Sequence, residues 1–363
     1  MITGTLIEGL DSQMVQARVN TADAKPFLFG TYFPVRRVNG FNWRMLQNQM
    51  AKKNVAADLH TDNGSIVRKS RPTFEIARGD IPLIAISREM TRSEIKEYQM
   101  ALAMAGDADA TALVQYWGED VDFCFNGVQS QLDYIAWALL SNAGRLAFTT
   151  QNNATFANQF DLDYDVYDFQ KQKTSGDWSN ASSADIIGDL AKLVKTAKTE
   201  HGLNPKFIFM NMEELYKVCS SEQIIKACSS YIANAVGAAQ TPDLAAVNQM
   251  LARQAWLNGL QIRVIDQTIT RESLSGDFSS GNPFASSRIV LSETERLGTT
   301  QYGILQESAQ EGVIRVERAH TVIKKYSTVE PLSEVTIGQA DAIPVLDTAY
   351  RNLYVRTDGQ AWG

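Results

Sequence analysis

The chain has 363 residues, 44% hydrophobic and 21% charged, the make-up of a globular protein with enough apolar residues for a real core. A formal net charge of −7 argues against a nucleic-acid binder that relies on counterion release, and no apolar run approaches the roughly 20 residues that span a bilayer. Three cysteines (Cys124, Cys219 and Cys228) with no CxxC pair fit a reducing cytoplasm and argue against a disulfide scaffold or a zinc site.

MITGTLIEGLDSQ opens the chain without a basic stretch followed by an apolar one, so no secretion signal is expected. Residues 1–48 read as irregular and extended. KPFLFGTYFPV is rich in aromatics and punctuated by Pro26 and Pro34, a stretch suited to packing along another surface. NVAADLHTDNGSIVRK (54–69) predicts two strands around a turn at Asn63-Gly64, because both residues tolerate the positive φ of a tight hairpin. The chain continues extended through RPTFEIARGDIPLIAI, so residues 50–85 predict a long two-stranded arm. Such an arm is marginal in water and needs a surface to lie on.

At Thr91, TRSE has the form of a capping box, in which the Thr91 hydroxyl accepts from the Glu94 amide and the Glu94 carboxylate reaches back. A helix is expected from there to about Ala105, and a longer one from about Ala110 to Asn142. In the second, Val121, Phe125, Val128, Leu132, Ile135 and Leu139 step by four and three along one stripe. Asp122, Asn126, Gln129 and Asp133 fall off that stripe. Residues 146–182 read as strand and loop. A third helix is expected over about Ala184–His201, buried through Ile186, Ile187, Leu190, Leu193, Val194 and Ala197 and stopped by Gly202. KFIFM predicts a buried strand, and Asn211 and Ser221 begin two short helices. Residues 242–257 are helical again, QIRVID is a strand, and LSGDFSSGNPFASS (274–287) is a Gly/Ser loop. SRIVLSE, TQYGILQE and most of the tail EVTIGQADAIPVLDTAYRNLYVRT are strand-like.

FDLDYDVYDF (160–169) places Asp161, Asp163, Asp165 and Asp168 close together. An EF-hand loop begun at Asp161 needs Gly at its sixth position and Glu at its twelfth, where this chain has Val166 and Gln172. Leu162, Tyr164 and Val166 favour an extended backbone, whose period of two separates the aspartates from the apolar residues. The stretch reads as a strand with an acidic face turned to water or to a partner, and a calcium site outside the EF-hand pattern is the alternative. No GxSxG, P-loop, HExxH or post-strand GxGxxG is present, and His60, His201 and His320 are far apart in sequence. No catalytic residue and no cofactor is assigned.

Charge is unevenly spread. Residues 36–80 carry nine basic against four acidic residues, +5, and residues 91–170 carry three against twelve, −9. Neighbouring blocks of opposite sign suit self-complementary assembly, although each charge taken alone reads as solvated surface.

Three stretches, in this order and spacing, resemble the major capsid protein E family of tailed phages, the lambda-like coat proteins. They are IPLIAISREMTRSEIKEYQ (81–99), YDVYDFQ followed by GDWSNASSADIIGDL with Trp178-Ser179, and RIVLSETERLGTTQYGILQE with Gly298, Tyr302 and Gly303. The resemblance covers most of residues 25–357. It implies an α+β Hong Kong 97-type capsid fold. Residues 1–48 would be an N-terminal arm and 49–85 an E-loop β-hairpin. Residues 86–183 would form a peripheral domain with a long spine helix, and 184–320 an α/β axial domain. Residues 321–363 would return to the peripheral domain. It implies no catalysis. It implies self-assembly into hexamers and pentamers of an icosahedral shell around double-stranded DNA, bound without sequence specificity. Scaffolding protein, portal, maturation protease and a decoration protein would be partners, and the product a virion capsid assembled in host cytoplasm. An encapsulin-like nanocompartment shell is the nearest alternative. A carboxylate-dependent metal-binding protein or enzyme built on the aspartates is the alternative from another class.

On this resemblance, Lys52, Lys53, Arg68, Lys69 and Arg71 of one subunit are expected to meet Glu119, Asp120, Asp122, Asp161, Asp163 and Asp165 of a neighbour. Exposed pairs contribute about 0–1 kcal/mol each, so their expected role is orientation. Some relatives crosslink an E-loop lysine to an asparagine. Lys52, Lys53 and Lys69 lie on the proposed arm, but no acidic residue is assignable as the catalyst, and noncovalent assembly is expected.

Overall fold

The computed structural model describes residues 5–7, 11–22, 27–48, 74–104, 118–149, 153, 161–229, 241–273, 275–303 and 311–362. The fold is mixed α+β. In chain order, α1 (Ser12–Thr21) and the single turn α2 (Phe29–Tyr32) precede β1 (Val35–Arg37), β2 (Asn42–Asn48), β3 (Phe74–Asp80) and β4 (Leu83–Met90). Then come α3 (Arg92–Met104), α4 (Glu119–Ser141), β5 (Arg145–Ala147), β6 (Asp161–Asp163), β7 (Lys171–Lys173), α5 (Ile186–Glu200), β8 (Phe207–Asn211), α6 (Met212–Ser220), α7 (Glu222–Ser229) and α8 (Leu244–Arg253). The remaining strands are β9 (Gln261–Ile265), β10 (Ile269–Glu272), β11 (Phe278–Gly281), β12 (Arg288–Ser292), β13 (Thr299–Tyr302), β14 (Ile314–Arg318), β15 (Thr321–Val329), β16 (Leu332–Val345) and β17 (Leu353–Arg356).

Two compact units share this chain. The first comprises Met1–Trp43, Gly79–Ile135 and Thr299–Val345. Its six-stranded sheet runs β1-β13-β16-β15-β14, with β4 also on β16. One edge of β16 pairs with β15, and the other takes β4 over residues 334–341 and then β13 over 342–345. The long helix α4 lies close on this sheet. A Cβ at Gly338 of β16 would stand 2.4 Å from the Cys124 carbonyl oxygen, and one at Gly127 of α4 would stand 2.7 Å from Ile86 of β4. Glycine at each position lets helix and sheet approach. The predicted stripe Val121, Phe125, Val128, Leu132 and Ile135 is buried. Gln129 and Asp133, off that stripe, are buried too. The α4 reading from Ala110 begins in residues outside those described. Burial pushes the Cys124 thiol up to about 12.

Residues 12–21 depart from the irregular N-terminal stretch expected. They form a helix because Asp11 Oδ1 accepts the Met14 N–H at 2.8 Å, a side-chain N-cap, and because Val15 and Val19, one turn apart, are both buried. With only two apolar residues on its inner face, the helix leaves little periodicity to read. At the start of α3, the Glu94 carboxylate accepts both the Thr91 N–H at 2.7 Å and the Thr91 hydroxyl at 2.6 Å. These bonds hold its acid below the usual carboxylate range.

The second unit comprises Arg44–Arg78, Ala136–Gly298 and Leu346–Gly363. Its five-stranded sheet runs β7-β17-β12-β8-β9, with β8 parallel to β9, β7 parallel to β17, and β12 antiparallel to both neighbours. The expected buried residues of α5, Ile186, Leu190, Leu193, Val194 and Ala197, join Ile208, Met210, Ile289, Leu291 and Val355 in one core, with Ile187 partly buried beside them. Asp185 caps α5 through the Gly188 N–H at 3.0 Å, and Gly202 follows the helix at φ 68. Asn211 caps α6 through the Glu214 N–H at 2.9 Å. The 274–287 segment is not all loop, since β11 pairs with β10. The strand-like tail is divided, with β16 in the first unit and β17 in the second.

The strands β2 and β3 form a two-stranded sheet of their own. Gly79 leaves room for the Trp43 indole, which a Cβ there would meet at 2.7 Å. The predicted turn at Asn63-Gly64 lies outside the described residues. Residues 83–85, expected at the end of the arm, open β4 on the six-stranded sheet.

Candidate functional site

The basic residues expected to form inter-subunit contacts, Lys52, Lys53, Arg68, Lys69 and Arg71, lie outside the described residues. Their expected partners do not. Glu119, Asp120 and Asp122 sit in the first turn of α4, where exposed backbone N–H groups favour carboxylates. Asp122 Oδ2 accepts from Arg18 of α1, at 3.0 Å from Nε and 2.9 Å from Nη2. Asp120 accepts from Arg88 of β4 at 3.1 Å, and the Arg88 guanidinium lies 4.1 Å over the Phe123 ring. Two of the three acids therefore tie α1 and β4 to α4 within the subunit. Glu119 is exposed, with no ion-pair partner among the described residues. Sequence reasoning missed Arg18 and Arg88 because both are distant in sequence and neither belongs to a motif.

The acidic strand keeps its predicted period of two. Asp161, Asp163 and Asp165 are exposed, and Leu162, Tyr164 and Val166 are buried. Regular pairing ends at Asp163, which faces Arg145 of β5 with Nε to Oδ2 at 3.6 Å. Asp163 Oδ1 also accepts the Asp165 N–H at 2.8 Å, and Asp165 adopts φ 46, so an Asx turn stops the strand. Leu162 packs inward, and the Tyr164 hydroxyl accepts the Leu346 N–H at 3.3 Å. Among the described residues, no group of three or more His, Cys, Asp or Glu side chains is placed to hold a metal ion.

Three buried polar centres carried no motif. Lys325 and Glu334, 1% and 0% exposed, pair at 2.6 Å. Glu334 also accepts the Thr5 hydroxyl at 2.8 Å and the Leu6 N–H at 2.7 Å, while Lys325 donates to Thr336 at 3.1 Å. His320 Nε2 lies 3.1 Å from Gln129 Oε1, whose amide donates to Thr321 at 2.8 Å. Burial lowers the His320 pKa to about 4. In the second unit the Glu214 carboxylate accepts from Lys217, from the Ser287 N–H at 2.9 Å and from Thr357 at 2.7 Å, fastening β17 and the β12 approach to α6. Trp178, singled out in sequence, is buried and donates to Asp189 of α5 at 3.0 Å, and the other Asp189 oxygen accepts the Ser175 N–H at 3.0 Å. A cleft of about 340 Å³ beside α5 is lined by Phe169, Lys173, Lys192 and His201, with Phe169 and His201 stacked at 3.9 Å. Among the described residues its one carboxylate, Asp189, is committed to Trp178 and Ser175.

No family model and no curated protein matches the sequence. Solved structures do match. A phage-related protein from Bordetella bronchiseptica RB50 superposes over 96% of this chain and 97% of its own, with TM-score 0.52 and 12% identity. A protein assigned as a prophage capsid protein of E. coli CFT073 superposes over 96% of this chain and 99% of its own, with TM-score 0.55 and 13% identity. The fold is that of a phage capsid protein. Within this capsid fold, Asp120, Asp122 and Asp163 have partners inside the subunit. Exposed charges without an ion-pair partner among the described residues include Glu119, Asp161, Asp165 and Asp168, and Lys192, Lys195 and Lys198 along α5. No described helix is long and apolar enough to cross a membrane.

Proposed function

We propose that this chain is the major capsid protein of a tailed phage, a non-enzymatic structural protein. Its copies assemble into hexamers and pentamers and then into an icosahedral shell around double-stranded DNA. The observation that carries the reading is the extent of the fold match, which runs over nearly the whole of this chain and of both phage structures rather than over one module. On this reading residues 1–48 act as the N-terminal arm, 49–85 as the E-loop and 184–320 as the axial domain. Residues 86–183 and 321–363 act as the peripheral domain, with α4 as its spine. Scaffolding protein, portal and a decoration protein are the partners, and the virion, built in host cytoplasm, is the location.

The E-loop contact is narrowed by the ion pairs inside the subunit. Asp120, Asp122 and Asp163 are already paired, so Glu119, Asp161 and Asp165 are the acids best placed to receive Lys52, Lys53, Arg68, Lys69 and Arg71 of a neighbour. Identical arms laid on identical neighbours repeat one heterologous contact, and such contacts close into rings and shells. Expression with the neighbouring genes, followed by sizing and electron microscopy, tests the assignment. Capsomers or shells are expected. A clean monomer under all assembly conditions, scaffold included, rejects it.

A further inference from the structure

The sequence contains four Asn-Gly dipeptides, and three lie among the described residues: Asn39-Gly40, Asn126-Gly127 and Asn258-Gly259. Their settings differ in what controls one reaction, attack of the glycine backbone nitrogen on the asparagine side-chain amide. Gly127 lies inside α4, where its N–H belongs to the helical ladder. The Asn258 amide is held by two acceptors, Asn204 Oδ1 at 2.8 Å and the Pro205 carbonyl at 2.9 Å. Asn39 and Gly40 are held by neither kind of bond. The turn is pinned on both sides, by the Val38 N–H on the Tyr302 carbonyl at 2.9 Å and by the Ile81 N–H on the Phe41 carbonyl at 2.8 Å. Between those anchors both residues are exposed, and neither makes a hydrogen bond to any described residue. Gly40 has φ 130 and open space where a Cβ would be, so no neighbouring group crowds that side of the residue whose unbonded nitrogen attacks.

We propose that Asn39 is a self-modification site, deamidated through a cyclic imide with water as the co-reactant. The Gly40 nitrogen loses its proton and bonds to Asn39 Cγ, and the side-chain nitrogen leaves as ammonia. Water then adds to one ring carbonyl. Breaking the Cγ–N bond yields an aspartyl residue at 39. Breaking the backbone C–N bond instead yields an isoaspartyl residue, with the chain running through the former side chain. Either way one amide and one water become one carboxylate and one ammonium, the released ammonia taking up the proton that the new carboxyl group loses. The new charge arises beside Arg36 and Arg37, exposed on β1 without ion-pair partners among the described residues, and beside the exposed Phe41. It lowers the basic surplus of the segment that holds the proposed arm. The modification itself stands whether or not the capsid assignment does.

The test holds the purified full-length chain at mildly alkaline pH and follows each Asn-Gly peptide by mass spectrometry, with an isoaspartyl-specific methyl-transfer assay alongside. Conversion at Asn39 is expected to exceed that at Asn126 and Asn258 by roughly tenfold, a barrier difference of about 1.4 kcal/mol. Asn39→Gln, which requires a larger ring, removes the signal at this peptide and leaves the other two unchanged. Equal rates at the three sites overturn the proposal. So does an inert Asn39 in the folded chain when a free peptide of the same sequence converts.

Discussion

Replacing Lys325 by methionine removes the cation from a pair whose side chains are 1% and 0% exposed. Methionine nearly matches the length of the stem, so packing changes little and the charge is what disappears. The Glu334 carboxylate is then left in the sheet with the Thr5 hydroxyl and the Leu6 N–H, both neutral donors. Breaking a buried pair from one side costs about 3–5 kcal/mol, because the remaining ion keeps its desolvation penalty without its partner. The two surviving donors place this case near the lower end, about 3 kcal/mol. Lys325→Met with Glu334→Leu removes both charges and that penalty. The double variant still loses the acceptor for Thr5 and Leu6, at about 1 kcal/mol for each hydrogen bond. The double variant is therefore expected to be more stable than the single one. Urea unfolding followed by circular dichroism reads the order directly. A double variant as unstable as Lys325→Met, or a single variant within experimental error of the parent, refutes the reasoning.

Three further outcomes follow from particular residues. His320 is held neutral by burial, with its pKa lowered from 6.5 to about 4, so the unfolded chain binds its proton first. Its contribution is complete above pH 6.5 and is lost as pH falls towards 4, by about 3 kcal/mol in all; if His320→Gln leaves the pH dependence of the urea midpoint unchanged, the account fails. Gly338→Ala drives a methyl into the Cys124 carbonyl, 2.4 Å away, and should cost about 1–3 kcal/mol by overpacking, read as a lowered thermal midpoint; an unchanged midpoint would show that α4 yields freely. Arg68→Glu with Lys69→Glu should weaken assembly more at low salt than at high salt, since screening already suppresses attraction beyond about 8–10 Å at physiological ionic strength; light scattering at wild-type levels at every salt removes the electrostatic role of the arm.

Much of the fold was legible because its signals are local. The α4 stripe, the Asn211 cap and the alternation from Asp161 to Val166 depend on residues within one or two turns of each other, and each appears as the periodicity requires. What was not legible is long-range. Arg18 and Arg88 find Asp122 and Asp120 across wide gaps in sequence, so acids that read as free in the sequence prove to be fastened. The α1 helix was missed because its two buried valines are poor helix formers, and its stability comes from a cap and from packing on β14 rather than from propensity. Most of the tail reads as extended, but period two cannot tell which sheet a strand joins, and its two strands went to different units.

The placement of β16 also sets a timetable for making the protein. Strands β4 and β13 both pair with β16, and so does β15, so the sheet of the first unit has no middle until residues 332–345 exist. During synthesis β4 must wait for a partner encoded some two hundred and fifty residues later, as the register of Leu83 with Asp341 shows. Contacts of such separation form late and slowly. Interrupted chains that stop short of β16 would lack this surface altogether. Such a chain is left with β4, β13 and β15 unpaired along the edges that β16 would have covered.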